Sequence, residues 1–150
     1  MALKEQLRAD LVTSMKSKDE LRLSTLRMAL TAITNEEVAG KSARELSDDE
    51  VLKVLAREAK KRREAAEAFD AAGRAELAAK ERAEGEVLDE YLPAQMPDDE
   101  LSSIVSAALA STGASGPQAI GQVMKVVQPQ VAGRAEGGRV AAEVRRQLGS

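Results

Sequence analysis

The sequence predicts an all-α protein: an N-terminal helical bundle with a long helical hairpin, followed by a small three-helix C-terminal module. Three observations lead there. Apolar residues recur at steps of three and four along most of the chain, the spacing of one helix face. Aromatic residues make up 1% of the sequence, only Phe69 and Tyr91, so the cores must be built from Leu, Val, Ile, Met and Ala. Such side chains suit closely packed helices better than strands, which favour aromatic and β-branched residues. Pro93 and Pro97 interrupt the pattern, because proline cannot continue a helix and turns its predecessor away from helical angles.

Leu3, Leu7, Leu11 and Met15 repeat every four residues and mark a first helix ending near Lys18. Asp19 is placed to cap a second helix, whose Leu23, Leu26, Leu30 and Ile33 form a seam for a partner and which Gly40 ends or follows. Ser47 with Glu50 reads as a capping box, in which hydroxyl and carboxylate satisfy free amides at a helix start. From there Leu52, Leu55, Ala59, Ala66 and Phe69 carry a long helix to Gly73. A fourth helix runs from about Arg74 to Tyr91. The prolines set a boundary between an N-terminal domain, 1–93, and a C-terminal module, 94–150. Three shorter helices are expected in that module, at about 98–111, 117–128 and 138–148, with Pro129 to Gly133 separating the last two.

Charge comes next. The densest positive run is Arg57, Lys60, Lys61, Arg62 and Arg63, a pattern that invites a nucleic-acid reading. A fold-back at Gly73 instead pairs Arg62 with Glu84, with Glu81 near the same level. Structural use of this run, as an interhelical ion pair of Arg62 with Glu81 and Glu84 that sets register, is therefore favoured over RNA contact. Residues 93–150 carry five basic and five acidic side chains, but residues 125–150 alone have a net charge of +3.

The residue types present exclude more chemistry than they allow. There is no Cys and no His, which removes disulfides, thiolate metal sites and the usual nucleophile and base. Asp48-Asp49-Glu50 and Asp98-Asp99-Glu100 both begin helices, where negative charge is favoured, so capping outranks metal binding. Ser14 with Lys18 reads as a surface pair, and Gly121 inside its helix as a close packing contact. No cofactor, no metal and no catalytic residue is expected. Without a signal peptide or an apolar run long enough to span a bilayer, the expectation is a cytoplasmic protein that does not enter membranes.

Several short motifs in order and spacing then carry a resemblance. They are Lys18-Asp19 before Arg22-Leu23-Ser24-Thr25-Leu26-Arg27-Met28; Lys60-Lys61-Arg62; Glu81 and Glu84 before Tyr91-Leu92-Pro93; and Gly121-Gln122-Val123-Met124 followed by Gly133-Arg134-Ala135-Glu136-Gly137. Across nearly the whole chain the sequence resembles the YqeY family, small bacterial proteins related to the tail of the B subunit of the tRNA-dependent amidotransferase. The resemblance implies a non-catalytic tRNA-binding accessory protein that acts beside an amidotransferase or an aminoacyl-tRNA synthetase. The family label, carbon-nitrogen ligase with glutamine as amide donor, is inherited from catalytic parts that this chain does not match. The resemblance also implies an RNA-facing edge at the turn Gly133 to Gly138 and the helix after it, with Lys125, Arg134, Arg139, Arg145 and Arg146 on phosphates. Relatives commonly have Lys in place of Gln122, and often near Gln130 and Ala132, where this sequence is neutral; the expected affinity is roughly micromolar or weaker. The alternative function is a helical protein-interaction scaffold.

Overall fold

The computed structural model describes residues 2–131 and 133–149. Its elements are α1 (Leu3–Ser17), α2 (Glu20–Glu37), α3 (Asp48–Ala71), α4 (Ala75–Asp89), α5 (Asp98–Thr112), α6 (Ile120–Val131) and α7 (Gly137–Leu148), with a short 3-10 turn, Pro117–Ala119, before α6. No strand occurs among the described residues. The chain divides into two compact units, Met1–Leu92 and Pro93–Ser150.

In the first unit each helix start has a local cause. Asp19 accepts a hydrogen bond from the Arg22 amide at 3.1 Å, occupying one free donor of α2. Ser47 and Glu50 form a reciprocal capping box at the start of α3. The α3–α4 connection is a short turn in which Gly73 adopts φ +75°, a left-handed conformation that glycine takes without a Cβ penalty. The two helices then run antiparallel, with Asp70 paired to Arg82 near the turn and Arg62 to Glu84 further along. Leu7, Leu26, Ile33, Leu55 and Leu88 are fully buried in one cluster, to which α1, α2, α3 and α4 all contribute.

The periodicity of the first helix resolves differently from its expected stripe. Met15 is 50% exposed, while Ser14 is buried and donates to the Asp10 carbonyl. Steps of four overshoot a helical turn, so Met15 is rotated about 120° from Leu3, whereas Ser14 returns to within about 20° of it. Ser14 is therefore no surface partner for Lys18, which takes the left-handed C-cap position at φ 59°.

Two polar clusters tie the unit together. The Tyr91 hydroxyl donates to Asp10, and Arg22 pairs with Glu90 at 2.7 Å, joining α1, α2 and the end of α4. Burial, with the hydrogen bond to Asp10, pushes the Tyr91 phenol above its usual value. At the other end of α2, Glu37 accepts from Lys4 Nζ at 2.7 and 2.8 Å and from the Leu46 amide at 3.3 Å. These bonds fasten the 38–47 loop to α1 and α2.

Lys4 holds the Glu37 carboxyl below its usual range, chiefly through that hydrogen bond. A carboxylate depressed by folding stabilises the native state above its unfolded value of about 4.3, and the benefit disappears as pH falls through the folded value. Glu37→Gln is thus expected to melt earlier than wild type at pH 7. Thermal melts at several pH values should show the gap closing below about pH 4; a gap independent of pH would contradict this assignment.

The second unit packs α5, α6 and α7 around Leu101, Val105, Val123, Val127, Val131, Val140 and Val144. Its sequence-predicted helix at 117–128 is corrected at both ends. Residues 117–119 form the 3-10 turn, and α6 runs through Pro129 to Val131. Pro129 cannot donate to the Lys125 carbonyl, and interior proline costs about 3 kcal/mol. Val127 and Val131 are both fully buried, and burial of such a side chain contributes about 1.5–3 kcal/mol, which offsets much of that cost.

Candidate nucleic-acid interface

The turn between α6 and α7 carries the residues of interest. Gly133, at φ +78°, reverses the chain, and a Cβ there would meet Pro93 at 3.5 Å. Arg134 follows directly. Its guanidinium grips Glu100 with two hydrogen bonds, 2.9 and 3.2 Å, and its Nε donates to the Ala94 carbonyl at 3.4 Å. The Arg134 carbonyl accepts from the Met96 amide at 2.7 Å. Arg139, in the first turn of α7, donates to the Met96 carbonyl and to Asp98 at 2.7 Å. Both arginines thus converge on the start of α5 and hold the Pro93–Pro97 segment, where Met96 is 2% exposed in the core of the unit.

The other three cations lie elsewhere. Arg145 and Arg146 occupy the last turn of α7, roughly 9–10 Å along the axis from Arg139 at 1.5 Å per residue. Arg146 pairs with Glu143 at 2.7 Å, which holds that carboxyl below its usual range. Both arginines are exposed. Lys125 is exposed on α6 and has no ion pair among the described residues. The neutral positions Gln122 and Gln130 are also exposed, while Ala132 lies outside the described residues.

Sequence spacing did not reveal the partners of Arg134 and Arg139. Glu100 and Asp98 are 34 and 41 residues away from them, and a first-turn acid already has a sufficient role in opposing the helix dipole. Here those acids also bind the arginines. Gly121 likewise differs from its expected packing role: it is exposed, and a Cβ added to it would meet nothing within 4 Å.

The α7 N-terminus begins with two glycines. Glu136 supplies the N-cap backbone without a side-chain cap, and no acid lies in the first turn. Gly137 and Gly138 are exposed, and a Cβ on Gly138 would meet nothing within 4 Å. The first-turn amides and the positive end of the helix dipole lie there, and the Gln128 side-chain nitrogen would be 3.9 Å from a Cβ on Gly137.

In the N-terminal unit, Arg62 sits among three carboxylates. Its Nε is 3.2 Å from Glu84 and 3.6 Å from Glu81, and its Nη2 is 3.9 Å from Glu58. The side chains are 14% exposed for Arg62, 12% for Glu84, 22% for Glu81 and 10% for Glu58. Met28 sulfur also contacts the guanidinium. Arg57 and Lys60 remain outside this cluster as exposed side chains in surface pairs with Glu36 and Glu64, while the exposed Lys61 reaches one of its carboxylates, Glu58, at 2.9 Å. Arg63 is exposed. Among the described residues, no group of three or more carboxylate side chains is arranged to hold a metal ion, and no helix is long and apolar enough to cross a membrane.

The family described as Yqey-like protein matches residues 4–148. A Schizosaccharomyces pombe protein described only as uncharacterized is 39% identical over 92 residues, covering 61% of this chain and 72% of its own. With nearly every described residue inside the match, the chain belongs to the family of Yqey-like proteins.

Proposed function

We propose that this protein is a tRNA-binding accessory factor without chemistry of its own, whose second unit docks on the phosphate backbone beside an amidotransferase or aminoacyl-tRNA synthetase. The observation that carries the reading is the glycine-rich N-terminus of α7, without a side-chain cap and with Arg139 in its first turn. Such an end binds phosphate through backbone amides and the helix dipole. Arg139 is paired to an Asp98 side chain that is 97% exposed, and Arg134 to a Glu100 side chain that is 43% exposed. Exposed pairs are worth about 0–1 kcal/mol, so a phosphate can replace the carboxylate. Lys125, Arg145 and Arg146 add sequence-independent attraction.

Four or five phosphate contacts give a slope near −4 in log K against log salt, a loss on the order of 10²-fold between 50 and 200 mM. Titration of labelled tRNA at those two salts is the direct trial, with binding expected to be micromolar or weaker at the higher one. Two variants accompany it: all five cations to Ala, and Lys125, Arg145 and Arg146 to Ala, which leaves the Arg134 and Arg139 contacts with the 93–97 segment intact. Both are expected to weaken binding, the first more. Absence of binding at either salt, or equal binding by the five-cation variant, would overturn the reading.

A further inference from the structure

The two arginines beside the α6–α7 turn divide their donors between two kinds of acceptor. Arg134 Nε donates to the Ala94 carbonyl at 3.4 Å, while Nη1 and Nη2 hold the two oxygens of Glu100 at 2.9 and 3.2 Å. Arg139 Nη2 is shared between the Met96 carbonyl and Asp98 Oδ1. The backbone acceptors belong to a segment that is also held in other ways. The Met96 amide donates to the Arg134 carbonyl at 2.7 Å, and the Met96 side chain is buried in the core of the unit. The carboxylates have no comparable hold. The Asp98 side chain is almost fully exposed and that of Glu100 partly so, and each can turn into water without moving the backbone.

A guanidinium fork closed on a carboxylate has the donor directions and spacing with which it closes on a phosphate. Glu100 therefore fills the seat that two phosphate oxygens would take on Arg134, and Asp98 fills part of the one on Arg139. Acids at a helix start need no arginine to be favourable, because the dipole alone accounts for them. Asp99 shows this in the same turn: its carboxylate accepts from the Glu100 amide at 2.9 Å, and it forms no ion pair among the described residues. Its two neighbours are the acids placed on cations.

We propose that Asp98 and Glu100 form an autoinhibitory contact. They occupy Arg139 and Arg134 in the free protein, and backbone phosphates must displace them, so the start of α5 lowers the affinity of the interface. The carbonyls of Ala94 and Met96 keep both guanidiniums in place while the carboxylates leave. The proposal rests on the reading of the second unit as a tRNA-docking surface, and adds to it a competitor built into the same site.

The test titrates labelled tRNA at about 50 mM salt with the full chain and four variants: Asp98→Asn, Glu100→Gln, the two combined, and Asp99→Asn. Asp98→Asn and Glu100→Gln are each expected to tighten binding about two- to fivefold, the share that an exposed pair withholds, and the combination about tenfold. Asp99→Asn removes the same charge from the same turn without releasing an arginine. Its gain, common to any anion lost near phosphate, should be less than half that of either neighbour. Hydrogen exchange at the Met96 amide needs no ligand, and its protection should be the same in wild type and in the combined variant. Loss of that protection would show that the carboxylates shape the segment rather than block the arginines, and would overturn the proposal. Gains at Asp98 and Glu100 no larger than the gain at Asp99 would also overturn it, while tRNA binding by the wild type leaves the docking reading standing. Binding by none of the five proteins would overturn both.

Discussion

Arg62→Ala is expected to destabilise the N-terminal unit by about 3–5 kcal/mol, the range found when one partner of a buried ion pair is removed. The reason lies in what stays behind. Glu58, Glu81 and Glu84 converge on this guanidinium, and none of their side chains is more than 22% exposed. Without Arg62, Lys61 still pairs with Glu58 at 2.9 Å, but Glu81 and Glu84 are left facing each other without that cation in a space with little water. Domains are stable by about 5–15 kcal/mol in total, so the variant should lose a large share of its margin. For a unit of this size each kcal/mol moves the midpoint by about 4–8 °C, which places the expected drop above about 12 °C. Thermal unfolding followed by circular dichroism measures it. A loss below about 1 kcal/mol would show that the cluster behaves as a solvated surface pair. Exchanging the charges, Arg62→Glu with Glu84→Arg, should recover only part of the loss, because Glu58 and Glu81 would still face a carboxylate at position 62.

Leu55→Ala is the second large effect, expected at about 2–5 kcal/mol. Leu55 is fully buried, in the same cluster as Leu7, Leu26 and Leu88. Removing its isobutyl group deletes transfer energy and leaves a void, whose penalty depends on how far the neighbours collapse into it. Several neighbours cannot: Ala29 and Ala59 in the same cluster have no side-chain length with which to fill space. The value should therefore fall toward the upper half of the range. Leu52→Ala, one turn away and only partly buried, serves as the comparison and should lose less than half as much. Denaturant unfolding of both variants, with unchanged m-values, gives the numbers. Equal losses at the two positions would mean that burial does not order this core.

Local chemistry was legible before any coordinates. The all-helical class followed from spacing and from the near absence of aromatics. Asp19 and the Ser47–Glu50 box mark helix starts because capping needs only residues within one turn of each other. Gly73 marks a reversal for the same local reason.

Misreadings arose where a distant residue competes with a local rule. Met15 continued a period of four, but the helix turns every 3.6 residues, so Ser14 took the inner position. Pro129 should have stopped α6, yet Val131 lies beyond it in the core. Asp98 and Glu100 read as first-turn acids and gave no sign that Arg139 and Arg134 would grip them. That last point narrows the candidate interface. Of the five cations assigned to RNA, two also hold the chain in shape, and Lys125, Arg145 and Arg146 are the three that can be changed without disturbing the 93–97 segment.

The sequence alone determined which stretches are helical, where most of them begin, and the family resemblance, because these depend on spacing and on short ordered motifs. Tertiary structure decided which charges are occupied. It set three carboxylates around Arg62 and fastened Arg134 and Arg139 to the start of α5. Ion pairs form between side chains tens of residues apart, at distances that only the packed helices define.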